Sequence, residues 1–305
     1  MPPTEPPMKK LAVHTNGRRF LQGDAGELPS FTPVPHPAFL VTREHRRFAE
    51  FADTVRKHRH IGICWGPPGV GKTLSARHYA GADEWQQWER FLWTKSRDVD
   101  PIPARVIEAR TAFYTPTVTA STREVEHALP AACQRISYAL DYAEHNTVDP
   151  WEWTDSRASG RTELLIIDEA DRFKAIGLEQ VRDYYDRHHT GVVLIGMPGI
   201  EKRLARYPQL YSRIGFAHEY RPLTVDELTA VLTRRWHDDG LDTDSNEDGL
   251  TRDVAIAAVA RITAGNFRLV DRLLAQITRI RDINHLDAIT VEVVEAAREA
   301  LLIGR

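Results

Sequence analysis

The sequence predicts an α/β fold, a three-layer sandwich around a parallel sheet, followed by a small all-helical domain. Three observations predict it. Ile61–Trp65, Leu164–Ile167 and Gly191–Gly196 are short, continuous apolar runs, the pattern of strands covered on both faces. Helical patterns alternate with them, which calls for crossover connections and hence parallel pairing. After a last expected strand at 216–220 strand patterns cease, and only helical patterns follow as far as Leu302.

The chain's 305 residues suffice for one large α/β domain with an appendage. At 42% hydrophobic and 27% charged it has the balance of a soluble globular protein, and no apolar stretch reaches bilayer length. The Pro-rich N-terminus does not read as a signal peptide, so the expected place is the cytoplasm, with no membrane partner. Cys64 lies in an apolar run and Cys133 in a helical pattern, and both are expected as buried, reduced thiols. The formal net charge of −3 gives no chain-wide attraction for phosphates, so any nucleic-acid contact must come from a local surface or from many subunits together.

In chain order, residues 1–37 are rich in Pro and Gly without any period. They read as a flexible arm, with Lys9, Lys10, Arg18 and Arg19 available to a partner. Residues 38–222 form the expected α/β nucleotide-binding core. A helix is expected over 43–57, with Phe48, Phe51, Ala52 and Val55 on one face. The strand at Ile61–Trp65 runs into a Gly-rich loop, and a helix follows over 73–80. Residues 83–110 read as an insertion whose Trp85, Trp88, Phe91 and Trp93 suit a small apolar cluster better than a base-stacking platform. A second strand is expected at 111–118, then a helix to Tyr142 opened by a capping box of Ser121 and Glu124. Residues 145–161 read as a loop and 178–188 as a helix. Thr224 and Glu227 form another capping box at the start of a helical lid, residues 223–305. Within it, the run from Asp242 to Asp248 begins like a calcium loop, but Glu247 stands where the turn needs Gly, so a solvated acidic loop is expected. His58 with His60, and His188 with His189, lack further ligands at zinc-type spacing, and no structural metal is expected.

Two motifs carry chemistry. Gly66-Pro67-Pro68-Gly69-Val70-Gly71-Lys72-Thr73 stands between a strand and a helix, the context a phosphate-binding loop requires. Its glycines let the backbone curl with N–H groups inward, and the following helix adds its positive end. Lys72 is expected at the β- and γ-phosphates and the Thr73 hydroxyl on Mg²⁺, with Leu74 and Val41 as further nucleotide contacts. The second motif, Leu164-Leu165-Ile166-Ile167-Asp168-Glu169-Ala170-Asp171, puts carboxylates at the end of a buried strand, where α/β folds bind ligands. Asp168 is expected to hold Mg²⁺ through water and Glu169 to orient and polarise the attacking water. ATP and Mg²⁺ are thus the expected cofactors, and hydrolysis to ADP and phosphate the expected reaction. Phosphoryl transfer also needs positive charge where the transition state gains negative charge. Arg213, just before the last strand, is the first choice for an arginine donated to a neighbouring subunit, and Arg206 the second. Arg268, in Gly265-Asn266-Phe267-Arg268, suits a γ-phosphate sensor within its own subunit. A trans-acting arginine implies a homo-oligomer.

In this order the motifs resemble an AAA+ module. The stretch 164–224, with Ile-Ile-Asp-Glu-Ala-Asp-Arg-Phe-Lys and Leu-Ile-Gly-Met-Pro-Gly, resembles more narrowly the ATPase regulators of DNA transposition, the TnsC, TniB, MuB and IstB proteins. That resemblance covers roughly residues 37–302. It implies ATP-driven assembly into a ring or helical filament on double-stranded DNA and recruitment or activation of a transposase, with a target-selection protein as a further partner. Hydrolysis then disassembles the complex. It also implies DNA contacts near the loop after the second strand: Thr117, Thr119, Ser121, Thr122 and Arg123, with Arg105 and Arg110 just before. Hydroxyls and arginines suit phosphate contacts, which position a protein without reading sequence, although Ser121 is already accounted for as a helix cap. One departure stands out. Most AAA+ proteins carry a polar residue at the end of the fourth strand, where this chain has Gly196 and Met197. Either a neighbouring group stands in, or hydrolysis is slow and ATP acts chiefly as an assembly switch; the slow switch is the expectation. Two rival functions share the motifs: a helicase-loading ATPase of replication, and a nucleotide-gated protein scaffold without DNA, which the negative net charge favours.

Overall fold

The computed structural model describes residues 39–92, 101–145, 160–238, 248–286 and 288–301. Five parallel strands, β1 (Ile61–Trp65), β2 (Thr111–Tyr114), β3 (Leu164–Ile167), β4 (Gly191–Gly196) and β5 (Ile214–Glu219), form one sheet in the order β2-β3-β4-β1-β5. The two-residue period of the strands divides their side chains between two cores. Ile61, Ile63, Leu165, Ile167, Val192 and Leu194 enter one. Cys64, Leu164, Ile166, Val193 and Ile195 enter the other. The second core is closed by α1 (Arg43–His58) through Phe48, Phe51, Ala52 and Val55. The first is closed by α5 (Thr122–His145) and α6 (Ala175–His188) through Val125, Leu129, Ile136, Leu178 and Val181. This is the three-layer sandwich. It explains the unbroken apolar runs, since every position of β3 and β4 is buried whichever way it points. Strand β5 lies at the edge, and its burial alternates between half-buried and exposed.

Several boundaries differ from the sequence reading. The segment read as an insertion holds two helices, α3 (Ala82–Leu92) and α4 (Ala104–Ala109). Trp85 and Trp88, one turn apart on α3, stack with ring centroids 5.3 Å apart, and Trp88 is buried in the main core. Strand β2 stops at Tyr114, short of Val118, because the chain leaves the sheet before Pro116, which cannot donate to a ladder. The Ser121 cap is present, its hydroxyl accepting from the Glu124 amide at 3.2 Å, and α5 runs on past Tyr142. Helix α6 begins at Ala175 rather than Leu178, and β5 at Ile214 rather than Phe216. Two short helices, α7 (Ile200–Leu204) and α8 (Pro208–Tyr211), link β4 to β5. The arm, most of the 145–161 loop, and residues 242–247 of the acidic run lie outside the described residues; Asp248 opens a helix.

Four helices follow the sheet: α9 (Val225–Asp238), α10 (Asp248–Thr263), α11 (Phe267–Asn284) and α12 (Val291–Glu299). The capping box at the head of α9 is reciprocal. Thr224 Oγ1 accepts from the Glu227 amide at 3.3 Å, and the Glu227 carboxylate accepts from the Thr224 amide at 3.0 Å. The helices share a core of Leu228, Leu232, Trp236, Val259, Val270, Leu273, Ile277 and Val294, against which Leu40 also packs. Cys64 and Cys133 are buried and free. Among the described residues no helix is long and apolar enough to cross a membrane.

Candidate functional site

Strand order decides what meets at the carboxyl edge of the sheet. Strand β4 lies between β1, which leads into the Gly-rich loop, and β3, which leads into the acidic motif. The tips of all three are therefore neighbours.

The loop leaves β1 and enters α2 (Lys72–Ala80). Gly69 and Gly71 take left-handed φ values of 79° and 107°, which a side chain would resist, and Gly66 lies so close to the Tyr220 carbonyl that a Cβ could not be added. The amides of Gly69, Val70, Gly71, Lys72 and Thr73 donate to no described residue. Consecutive uncommitted amides at a helix N-terminus are an anion-binding arrangement. Lys72 is buried, and its ammonium donates to the carbonyls of Gly66 at 2.6 Å and Pro67 at 2.8 Å. Burial lowers the Lys72 pKa, while the negative charges of Asp168 and Asp171 work against that.

Thr73 and Asp168, 95 positions apart, meet directly: Thr73 Oγ1 donates to Asp168 Oδ2 at 2.7 Å. Asp168 is 3% exposed; burial raises its pKa, and the bonds from Thr73 and the Glu169 amide oppose the rise. A hydroxyl and a carboxylate, both oxygen donors beside an anion cradle, fit a hard cation such as Mg²⁺. Glu169 starts a 3₁₀ turn (Ala170–Arg172) with a left-handed φ of 52°, and its carboxylate is ion-paired with Arg172. Arg172 in turn donates to the Pro116 carbonyl beyond β2 at 2.7 Å. Asp171 Oδ2 accepts from the Met197 amide at the tip of β4, at 2.6 Å.

The C-terminal helices reach this site through the start of α11. Asn266 Nδ2 donates to the Pro68 carbonyl at 2.9 Å, and the Arg268 amide donates to the Gly69 carbonyl at 3.2 Å. The Arg268 guanidinium is exposed and close enough to act electrostatically on Lys72. Val41 and Leu74 are about half exposed, at 49% and 52%. Ser75 on α2 shares a hydrogen bond with the Tyr220 hydroxyl at 2.8 Å, and burial pushes that hydroxyl up to about 12.

Other predicted residues lie apart. Arg213 is held by Asp186, Nε to Oδ1 at 2.6 Å and Nη2 to Oδ2 at 2.8 Å. Arg206 is exposed in the turn between α7 and α8, and its side chain has no partner among the described residues. Thr117, Thr119, Ser121, Thr122 and Arg123 form one exposed stretch after β2, with Val118 77% exposed among them. Two hydroxyls there are committed locally, Thr117 to Glu124 and Ser121 to the α5 cap. Arg110 does not join that stretch, because it precedes β2 and pairs with Glu163 at the amino edge of the sheet, 3.6 Å away. At ~3.3 Å per residue the strand alone puts on the order of 13 Å between the two edges. Arg105, on α4, pairs with Glu84 at 3.2 Å and lies against His78. Sequence reasoning passed over Asp171, Arg172, Asn266 and Tyr220. The first three stand inside runs already singled out, and Asn266 is an N-cap residue type directly before a helical pattern.

A strand–loop–helix with a Lys-Thr pair, facing an Asp-Glu pair across a parallel sheet, defines a P-loop protein of the AAA+ fold. A family profile described as "AAA domain" matches residues 55–204. A "Potential ATP-binding protein" of Staphylococcus aureus is 42% identical over 281 residues, covering 87% of this chain and 97% of that protein. The chain belongs to the family of this ATP-binding protein and carries an AAA domain match within it. Its fold is similar to that of RuvB from Thermotoga maritima, described as a Holliday junction branch migration motor, with a TM-score of 0.52 at 17% identity over 86% of this chain and 69% of that one. It is also similar to the ORC2 protein of Aeropyrum pernix, solved as ADPNP-ADP complexes, with a TM-score of 0.51 at 13% identity over 88% and 70% of the two chains.

Proposed function

We propose that this chain is a Mg²⁺-dependent ATPase that assembles on double-stranded target DNA in its ATP state, recruits or activates a transposase, and disassembles on slow hydrolysis. The observation that carries the ATPase reading is the 2.7 Å bond between Thr73 and Asp168, which joins the two motifs into one pocket. The transposition reading rests on the motif resemblance and on the exposed hydroxyl-rich stretch from Thr117 to Arg123.

The residues divide the work. Lys72 leaves the carbonyls of Gly66 and Pro67 to meet the β- and γ-phosphates, and the uncommitted loop amides take the remaining phosphate oxygens. Thr73 and Asp168 are the residues that would hold Mg²⁺, which when bound neutralises charge gathering on those oxygens. Glu169 accepts a proton from the attacking water as its oxygen bonds to the γ-phosphorus and the bond to the bridging oxygen of ADP breaks. Arg268 senses the γ-phosphate from the lid, and an arginine from a neighbouring subunit completes the charge. The Glu169–Arg172 ion pair competes with the water for Glu169 and lowers turnover by a factor of about five at most.

Lys72→Ala is expected to abolish Mg-ATP binding in calorimetry, and Glu169→Gln to keep binding while trapping the assembled form. Duplex DNA anisotropy with a slowly hydrolysed ATP analogue at low salt, where counterion release is most favourable, tests the DNA step. Binding that is absent, or indifferent to nucleotide, would leave the scaffold reading, which the net charge of −3 favours. Nucleotide-dependent binding without transposase stimulation would favour a helicase loader.

A further inference from the structure

The carboxyl tip of β4 lies between the phosphate loop and the acidic motif, yet β4 offers no polar side chain there. It ends on Gly196, and the next residue is Met197. The space is filled from elsewhere. A Cβ on Gly196 would lie 2.5 Å from Ile200 Cδ1, 2.6 Å from Asp171 Oδ2 and 3.1 Å from its Cγ, so an apolar methyl and the Asp171 carboxylate share the place of a side chain at position 196, and the carboxylate is its polar part. Oδ2 is fixed there by the Met197 amide at 2.6 Å. The turn carrying Asp171 is held from the far side by Arg203 of α7, which donates to the carbonyls of Asp171, at 2.8 Å, and Phe173. Oδ1 accepts no hydrogen bond from any described residue. The carboxylate is also close enough to act electrostatically on Lys72.

We infer that Asp171 is a second water-orienting carboxylate, standing in for the side chain that β4 lacks. The inference rests on the ATPase reading above but not on its slow turnover, since it takes the alternative in which a neighbouring group replaces the missing side chain. A carboxylate is an acceptor only and repels phosphate oxygens, so its free oxygen meets the γ-phosphate side of the pocket through a donor between them. The attacking water is that donor. One O–H points to Glu169, which takes the proton, and the other to Asp171 Oδ1, leaving a lone pair aimed at phosphorus. Asp171 takes no proton, and its part is orientation. The alternative is a plain tether between the 3₁₀ turn and β4.

Asp171→Asn separates the two, because the amide oxygen still accepts from Met197 while the second oxygen becomes an NH₂ donor. Mg-ATP affinity by calorimetry and melting temperature should match the parent, and single-turnover hydrolysis at saturating ATP should fall about 10²-fold, as when one oriented catalytic contact is lost. Parental turnover in the Asn variant would reduce Asp171 to a tether and overturn the inference while leaving the ATPase reading intact. Loss of affinity together with rate in that variant would also overturn it. If the parent itself binds no Mg-nucleotide, the ATPase reading fails first, and the calorimetry reports that separately.

Discussion

At the scale of single residues, two groups to which the proposed reaction assigns work are engaged with partners of their own chain. Lys72 donates to the loop's carbonyls, and Glu169 is paired with Arg172. The second pairing is weak by position. The side chains are 31% and 49% exposed, and such ion pairs contribute about 1 kcal/mol or less. It is therefore a brake that thermal motion or a ligand can open. Its other end is the Pro116 carbonyl, directly before the exposed stretch 117–123, so a molecule bound to that stretch can act on Glu169 through one arginine. Arg172→Ala should raise DNA-independent ATP hydrolysis about two- to fivefold, the factor that up to ~1 kcal/mol represents, and shrink any stimulation by DNA. Steady-state phosphate release with and without duplex checks it. A rate that is unchanged or lower means the arginine does not restrain the glutamate.

At the scale of elements, the legible features were those set by neighbours in sequence. Apolar runs, the loop between a strand and a helix, and the boxes at Ser121/Glu124 and Thr224/Glu227 are local patterns with local causes. What stayed hidden depends on which strands lie side by side. Asp171 reaches Met197 only because β3 and β4 are neighbours, and Asp186 meets Arg213 across 27 positions. Helix α4, six residues long, is too short to show a period, and the end of β2 is set by its exit before Pro116. The head of α11 combines a local and a distant role. Asn266 Oδ1 caps the helix by accepting from the Leu269 amide at 3.2 Å, while Nδ2 clasps the Pro68 carbonyl. Asn266→Ala should lose the cap, about 1 kcal/mol, and lower the melting temperature by about 2–4 °C. It should also weaken nucleotide binding, because the helix that carries Arg268 loses its clasp on the loop. Asn266→Asp can cap equally well but cannot donate to Pro68, so stability should return and affinity should not. Calorimetry on both variants separates the two roles; affinity restored by Asp would confine Asn266 to capping.

At the scale of the whole molecule, the proposed assembly needs an arginine from a neighbour, and the pairing of Arg213 with Asp186 favours Arg206 for that role. Arg213 makes a bidentate contact with Asp186, whose carboxylate it holds below its usual pKa and which Arg182 also engages at 2.7 Å. Reaching into another subunit would break that pairing. Arg206 has no such tie among the described residues and stands exposed on the link between β4 and β5. Arg206→Ala should therefore bind nucleotide normally as a monomer and lose about 10³-fold or more of its assembly-dependent hydrolysis, the range for an arginine supplied in trans. Arg213→Ala should lower melting temperature while its assembled form keeps most of its turnover. Mixing makes the assignment unambiguous. An Arg206→Ala subunit keeps Glu169, and a Glu169→Gln subunit keeps Arg206, so each variant alone is inactive but an equimolar mixture forms interfaces holding one intact copy of both. Recovery of phosphate release on mixing places Arg206 across the interface. A mixture as silent as its components would mean that Arg206 acts within its own subunit or not at all, and the same test on Arg213 would then decide whether its pairing with Asp186 opens on assembly.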